Sequence, residues 1–105
     1  MKQYKVELLP AAWQDLDDIS NYLIAKSVQA AARIIDMLLT AMRGLSTMPE
    51  AYPYVRDDEL RKQGYRNLVR KKYLCIYKTV GDTVFIHHIV HGARNYPLLF
   101  MDAQE

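Results

Sequence analysis

Apolar residues change their period at the loop bracketed by Pro49 and Pro53, and that change sets two helices before the loop against strands after it. Before the loop, Ala12, Leu16, Ile19 and Leu23 recur at steps of four, three and four residues, and Ala31, Ile35, Leu38, Met42 and Leu45 at steps of four, three, four and three. The spacing predicts a helix over 11–25, with Trp13 flanking its apolar stripe, and a second over 28–45. Pro10 suits the first turn of the first helix, and Asp15, Asp17 and Asp18 are expected early in it, where the helix dipole favours acids. Ser27 is the expected N-cap of the second helix, although Ala30 denies it a full capping box. The short connection Lys26-Ser27 turns the two helices into an antiparallel hairpin.

Tyr4, Val6 and Leu8 alternate with Lys5 and Glu7, which predicts a half-buried strand over 2–9 that stops before Pro10. Beyond the 48–54 loop, the charged segment 57–63 has room for one helical turn, and Gly64 precedes a strand over 65–69. Residues 73–80 and 83–91 are rich in Tyr, Ile, Leu and Val, with Gly81-Asp82 between them. Gly at the first central position of a two-residue loop suits a type II′ turn, so these two strands form a hairpin. The order is β-α-α-β-β-β, an α+β fold with the helical hairpin packed on one face of a twisted, mainly antiparallel four-stranded sheet. The apolar tail Leu98-Leu99-Phe100-Met101 is expected to dock on the body.

At 105 residues the chain has the size of one domain, 1–105, with neither an internal repeat nor a linker. No apolar run reaches the roughly 20 residues of a membrane-spanning helix, and the alternating N-terminus does not read as a signal peptide. A cytoplasmic location is expected. The single cysteine, Cys75, lies in an apolar stretch and reads as a small buried thiol.

Charge is distributed unevenly. Residues 1–50 carry five Lys or Arg against six Asp or Glu, and residues 51–105 carry nine against six. Arg61, Lys62, Arg66, Arg70, Lys71, Lys72 and Lys78 occur between Leu60 and Lys78 with no acid among them. Such a patch suits a phosphate backbone or an acidic protein segment, or simply a strand edge protected by lysines.

His87, His88 and His91 raise a metal site as a hypothesis, but neighbours on a regular strand point to opposite faces, and His87 and His91 lie about 13 Å apart at the usual strand rise. No nucleotide loop, nucleophile elbow or helical metal motif is present, so no metal and no cofactor is expected. What remains is a cationic set: Arg66 on the second strand, Lys71 and Lys72 just after it, and His91, Arg94 and Tyr96 at and beyond the end of the fourth. RNA cleavage by the adjacent 2′-hydroxyl needs a base, cations for the pentavalent phosphate and an acid for the leaving oxygen, and it needs no metal. Arginines could clamp the phosphate while His91 or Tyr96 moves protons or stacks on a splayed base. The alternative is structural, with both arginines paired to acids, His91 satisfied and Tyr96 covering the sheet end.

Four passages, Ala12-Trp13-Gln14-Asp15-Leu16, Gly64-Tyr65-Arg66-Asn67-Leu68, Tyr73-Leu74-Cys75-Ile76-Tyr77 and Ile89-Val90-His91-Gly92-Ala93-Arg94-Asn95-Tyr96, stand in the order of a known family. Over nearly its whole length the chain resembles the RelE/ParE superfamily of toxins from bacterial type II toxin–antitoxin modules, closer to the ParE-like, plasmid-stabilisation branch. The last passage is similar to the family's His-Gly-x-Arg-Asp ending, with Asn95 where an acid is usual. The resemblance implies an intracellular growth-inhibiting toxin held by a cognate antitoxin, which supplies most operator DNA contacts. ParE-like members act on DNA gyrase and carry no known hydrolytic site. RelE-like members cleave messenger RNA on the ribosome, and for that branch Arg66 and Arg94 match arginines at the motif positions and Tyr96 falls near a C-terminal tyrosine. Glu50 follows Met48-Pro49 without the glycine that precedes the base of Glu-dependent relatives, and it is not assigned. A non-toxic relative acting as a binding module is the third reading.

Overall fold

A four-stranded mixed sheet in the order β1-β4-β3-β2 organises the chain. The computed structural model describes residues 2–92 and 96–102. Its elements are β1 (Lys5–Leu8), α1 (Pro10–Ile24), α2 (Val28–Arg43), α3 (Asp58–Lys62), β2 (Arg66–Arg70), β3 (Tyr73–Val80), β4 (Thr83–His91) and α4 (Pro97–Asp102), with a 3₁₀ turn at Gly44–Ser46 after α2. β1 runs parallel to β4, whereas β4 with β3 and β3 with β2 are antiparallel. β3 and β4 have the bounds expected from their composition. Gly81 sits at φ +61°, as the first position of a type II′ turn requires, and Val80 pairs with Thr83 across it.

The helical hairpin packs on one sheet face. Ala12 and Leu16 of α1 and Leu38 and Met42 of α2 meet Leu68, Cys75, Tyr77, Val84, Ile86 and Ile89 in the larger cluster of the core. The Ser27 hydroxyl caps α2 by accepting from the Ala30 N–H at 3.2 Å. α2 ends at Arg43 rather than 45 because Gly44–Ser46 tightens into the 3₁₀ turn, and this keeps Leu45 fully buried. The opposite face carries a smaller cluster of Val55, Leu60, Tyr65, Ile76, Val90 and Phe100. Phe100 is the residue by which the apolar tail docks, while Leu98 and Leu99 remain exposed.

The charged segment after the loop is the five-residue α3. The Asp57 carboxylate caps its start, accepting from the Leu60 N–H at 3.1 Å. At its other end Gly64 takes φ +94°, and two bonds, from the Gly64 N–H to Arg61 O and from the Tyr65 N–H to Leu60 O, form a Schellman closure. Tyr65 thereby lands beside Leu60 in the smaller cluster, and β2 begins one residue later than its alternation suggests, at Arg66.

Two expectations are corrected. The first turn of α1 holds no acid, because the helix starts at Pro10 and Asp15 lies beyond that turn. Asp15 instead serves β4. The last β1 bond runs from the Leu9 N–H to Ile86 O at 3.0 Å, and past it the Asp15 carboxylate accepts from the Ile89 N–H at 2.9 Å and contacts His88 Nδ1 at 3.0 Å. Second, His87 and His88 do not point to opposite faces. Ile76 pairs with His88 and Tyr77 with Ile86, so His87 is the extra residue of a β-bulge. The bulge brings both imidazoles to Phe100, at centroid distances of 5.8 and 5.2 Å.

Replacing Asp15 by Ala should cost about 2 kcal/mol, because it leaves a part-buried N–H unsatisfied and removes a charge-assisted bond. Denaturant unfolding of the two proteins measures it, and an unchanged midpoint would show that this carboxylate does not hold β4.

Candidate functional site

The basic residues reach their positions through the loop that precedes α3. The Tyr77 hydroxyl, deep in the core, donates to Pro49 O. Arg66 Nη1 donates to Tyr52 O at 2.6 Å, and the same guanidinium lies 4.0 Å from the centre of the Tyr54 ring. Arg70 completes the set, donating to the Tyr52 hydroxyl at 2.9 Å and to Val69 O at 2.9 Å. The loop is therefore fastened to the β2 edge by two arginines and one buried phenol. Burial pushes the Tyr77 hydroxyl well above the ordinary phenol range, with Arg66 opposing the effect.

The expected cations do not meet at one point. Arg66 pairs with Tyr77, whereas His91 pairs with Tyr73, four residues earlier on β3. Two strand spacings and four residues of rise separate Arg66 from His91 by about 16 Å. Arg94 lies outside the described residues, as does Asn95. Lys71 and Lys72 form the exposed β2–β3 turn, in which Lys71 adopts φ +53°. The Lys72 carbonyl there accepts from the Gly92 N–H at 2.6 Å. Arg61 is paired with Asp58 at 2.6 Å on α3, and Lys62 is exposed beside it.

His91 does share a cleft with Tyr96. A cavity of about 420 Å³ is lined by Asp15, Asp18, Ile19, His91, Tyr96 and Leu99, among others. A second, of about 260 Å³, continues from it between Asp18, Ile19, Tyr22, Tyr73 and His91. The His91 ring lies 4.9 Å from that of Tyr73. Burial, and then the neighbouring Tyr22, raises the Tyr73 phenol, so Tyr73 is a weaker acid than a free tyrosine and holds less phenolate at neutral pH. The α1 side of this cleft was not singled out in the sequence. Asp15, Asp18 and Tyr22 stand at i, i+3 and i+7, one polar stripe beside Leu16 and Ile19, and that spacing is the signal that would have found it.

Basic and apolar surface thus divides between the loop-fastened β2 edge and the cleft where α1 meets the chain end. A helical hairpin on a four-stranded sheet with this order is the fold of the toxins of RelE and ParE type. The chain belongs to the family described as the ParE toxin of the type II toxin–antitoxin system parDE, whose model matches residues 6–96. The fold is similar to a chain of the chromosomal ParDE toxin–antitoxin system from P. aeruginosa, with a TM-score of 0.70 and 16% identity over 87% of this chain and 98% of that one. It is also similar to a chain of the toxin–antitoxin complex RelBE2 from Mycobacterium tuberculosis, with a TM-score of 0.61 and 22% identity over 90% and 97%. No curated protein matches the chain in sequence at a significant level.

Cys75 is fully buried, and burial pushes its thiol up to about 12. A disulfide-exchange reagent at pH 8 should therefore label the folded protein only as fast as it opens, and rapid labelling in the absence of denaturant would contradict this packing.

Proposed function

We propose that this toxin acts on DNA gyrase, or on another target without cutting nucleic acid, and that a cognate antitoxin neutralises it. Membership of the ParE family supports the toxin class. The observation that carries the finer reading is the use of Arg66. A catalytic cation must face the reacting phosphate, whereas this guanidinium is occupied by a loop carbonyl and a tyrosine face, at the far end of the sheet row from His91. The phenol of Tyr73, whose ring lies 4.9 Å from that of His91, is raised rather than lowered, which leaves little phenolate for general-base duty.

The partner follows from the same surface. Both similar structures come from toxin–antitoxin systems. The exposed Tyr22, Ile24 and Val28 at the hairpin tip and the exposed Val69 beside Lys71 and Lys72 suit an amphipathic, acidic segment. In this reading the chain works in the cytoplasm as one domain, and operator DNA is reached through the antitoxin. The basic residues Arg61, Lys62, Arg70, Lys71 and Lys72 serve the partner, and Arg66 positions the loop beneath it.

Inducible expression in a bacterial host, with pulses of radiolabelled thymidine and methionine, tests the target. Early loss of thymidine incorporation is expected. Collapse of methionine incorporation first would overturn the reading in favour of ribosome-dependent RNA cleavage by Arg66, His91, Arg94 and Tyr96, and undisturbed growth in favour of a non-toxic relative. Arg66→Ala should lower stability by about 1–3 kcal/mol alongside any loss of toxicity, because it unfastens the loop. An Arg66→Ala protein that is inactive with an unchanged thermal midpoint would return Arg66 to the catalytic list.

A further inference from the structure

The bulge in β4 places an ionisable ring where the last helix docks. His87 is half-buried, with its ring edge-on to Tyr65 at 4.9 Å and 5.8 Å from Phe100, and Phe100 meets Tyr65 at 4.8 Å. Phe100 is the buried anchor of α4 among the described side chains, since Leu98 and Leu99 face outward. The seat of α4 is therefore an aromatic socket with an imidazole in its wall.

The groups around that imidazole disfavour a charge on it. From β3, Lys78 Nζ lies over the Tyr65 ring at 5.3 Å. From β4 itself, His88 is adjacent and is held by Asp15 of α1, whose carboxylate is already shared with the Ile89 N–H. Tyr65, ahead of β2, is buried and its phenol is raised, so it adds no negative charge. Among the described side chains no carboxylate pairs with His87. A proton on His87 would meet two potential cations and an apolar ring rather than a partner.

We propose that His87 is a proton-controlled latch for α4: neutral, it seats Phe100, and protonated, it releases the helix and uncovers the Tyr65, Ile76 and Val90 surface of the sheet. Burial, followed by the His88 and Lys78 charges, lowers His87 to about 4 when α4 is seated. A released, hydrated imidazole returns to the ordinary value of about 6.5. The seated state binds fewer protons, so seating is complete above the released value and is lost progressively as pH falls from about 6.5 towards 4. Between pH 7.5 and pH 5 the seating equilibrium should fall about 30-fold. This latch does not depend on which target the toxin acts upon.

Proton NMR titration of the imidazoles in the full-length chain tests it, because a proton that releases Phe100 must in turn be bound more easily when Phe100 is removed. His87 is expected to titrate with a midpoint below pH 5.5 in the wild type and at least one pH unit higher in Phe100→Ala. A wild-type midpoint near 6.5, or one that Phe100→Ala leaves in place, would overturn the proposal. Carboxypeptidase trimming of the folded wild type supplies a readout that does not need Phe100→Ala to fold. Trimming back past Phe100, relative to a free peptide of the same sequence, should be at least tenfold faster at pH 5 than at pH 7.5. It should lose that pH dependence in His87→Leu, which keeps the apolar contact without the titration, and equal pH dependence in the two proteins would also overturn the latch.

Discussion

One carboxylate decides how this sheet ends. β1 is only four residues long because Pro10 starts the helix, yet β4 continues to His91, so half of β4 has no strand on its outer side. Exposed strand edges invite mispairing and leave backbone donors to water. Asp15, on the second turn of α1, reaches back to the Ile89 N–H and fixes His88 in the same contact. The helix that interrupts β1 thus replaces it, and the position of α1 over the sheet follows from that bond as well as from Ala12 and Leu16. The cleft between α1 and His91 exists because α1 is held at this height.

The other edge is closed by a different device. β2 is the outer strand, and the loop ahead of α3 covers its start: the Asn67 N–H donates to Pro53 O and Val55 N–H to Tyr65 O. Tyr77, Arg66 and Arg70 hold that loop by side chain to backbone or ring. Further along, Arg70 also occupies the outward carbonyl of Val69. Two of the arginines that a sequence reader assigns to phosphate, Arg66 and Arg70, are here engaged by their own fold, whereas Lys62, Lys71 and Lys72 are exposed.

Elements with a strong period were legible in kind and order, though not always in extent: β1 is Lys5–Leu8 where the alternation ran over 2–9, and α2 stops two residues short of its pattern. The two long strands and their Gly81 turn, the helical seams and the Ser27 cap could be read from spacing alone, because each depends on residues within a few positions of one another. The features that stayed hidden depend on residues far apart in sequence. Asp15 looked like a dipole residue because its partner lies 74 positions away. The bulge at His87 follows from how the ladder accommodates one residue too many, which alternation cannot express. Arg66 could be placed on β2 by sequence, but its commitment to Tyr52 and Tyr54 required the loop to be folded back.

These hidden contacts share a consequence for function. β3 sends Tyr73, Cys75 and Tyr77 into the helical side and Ile76 into the other, so both sheet faces are core rather than site. Among the described residues, the cleft lies at the open end of the sheet, where His91, Tyr96 and α4 meet α1. The two halves of that end are built differently: α1 is anchored by a charge-assisted backbone bond and the apolar seam, whereas α4 is anchored, among the described side chains, by the rings around Phe100. A surface whose two walls are held in different ways can change shape when one of them moves. Any partner that recognises this end therefore acts on the seating of α4 as well as on the surface it touches.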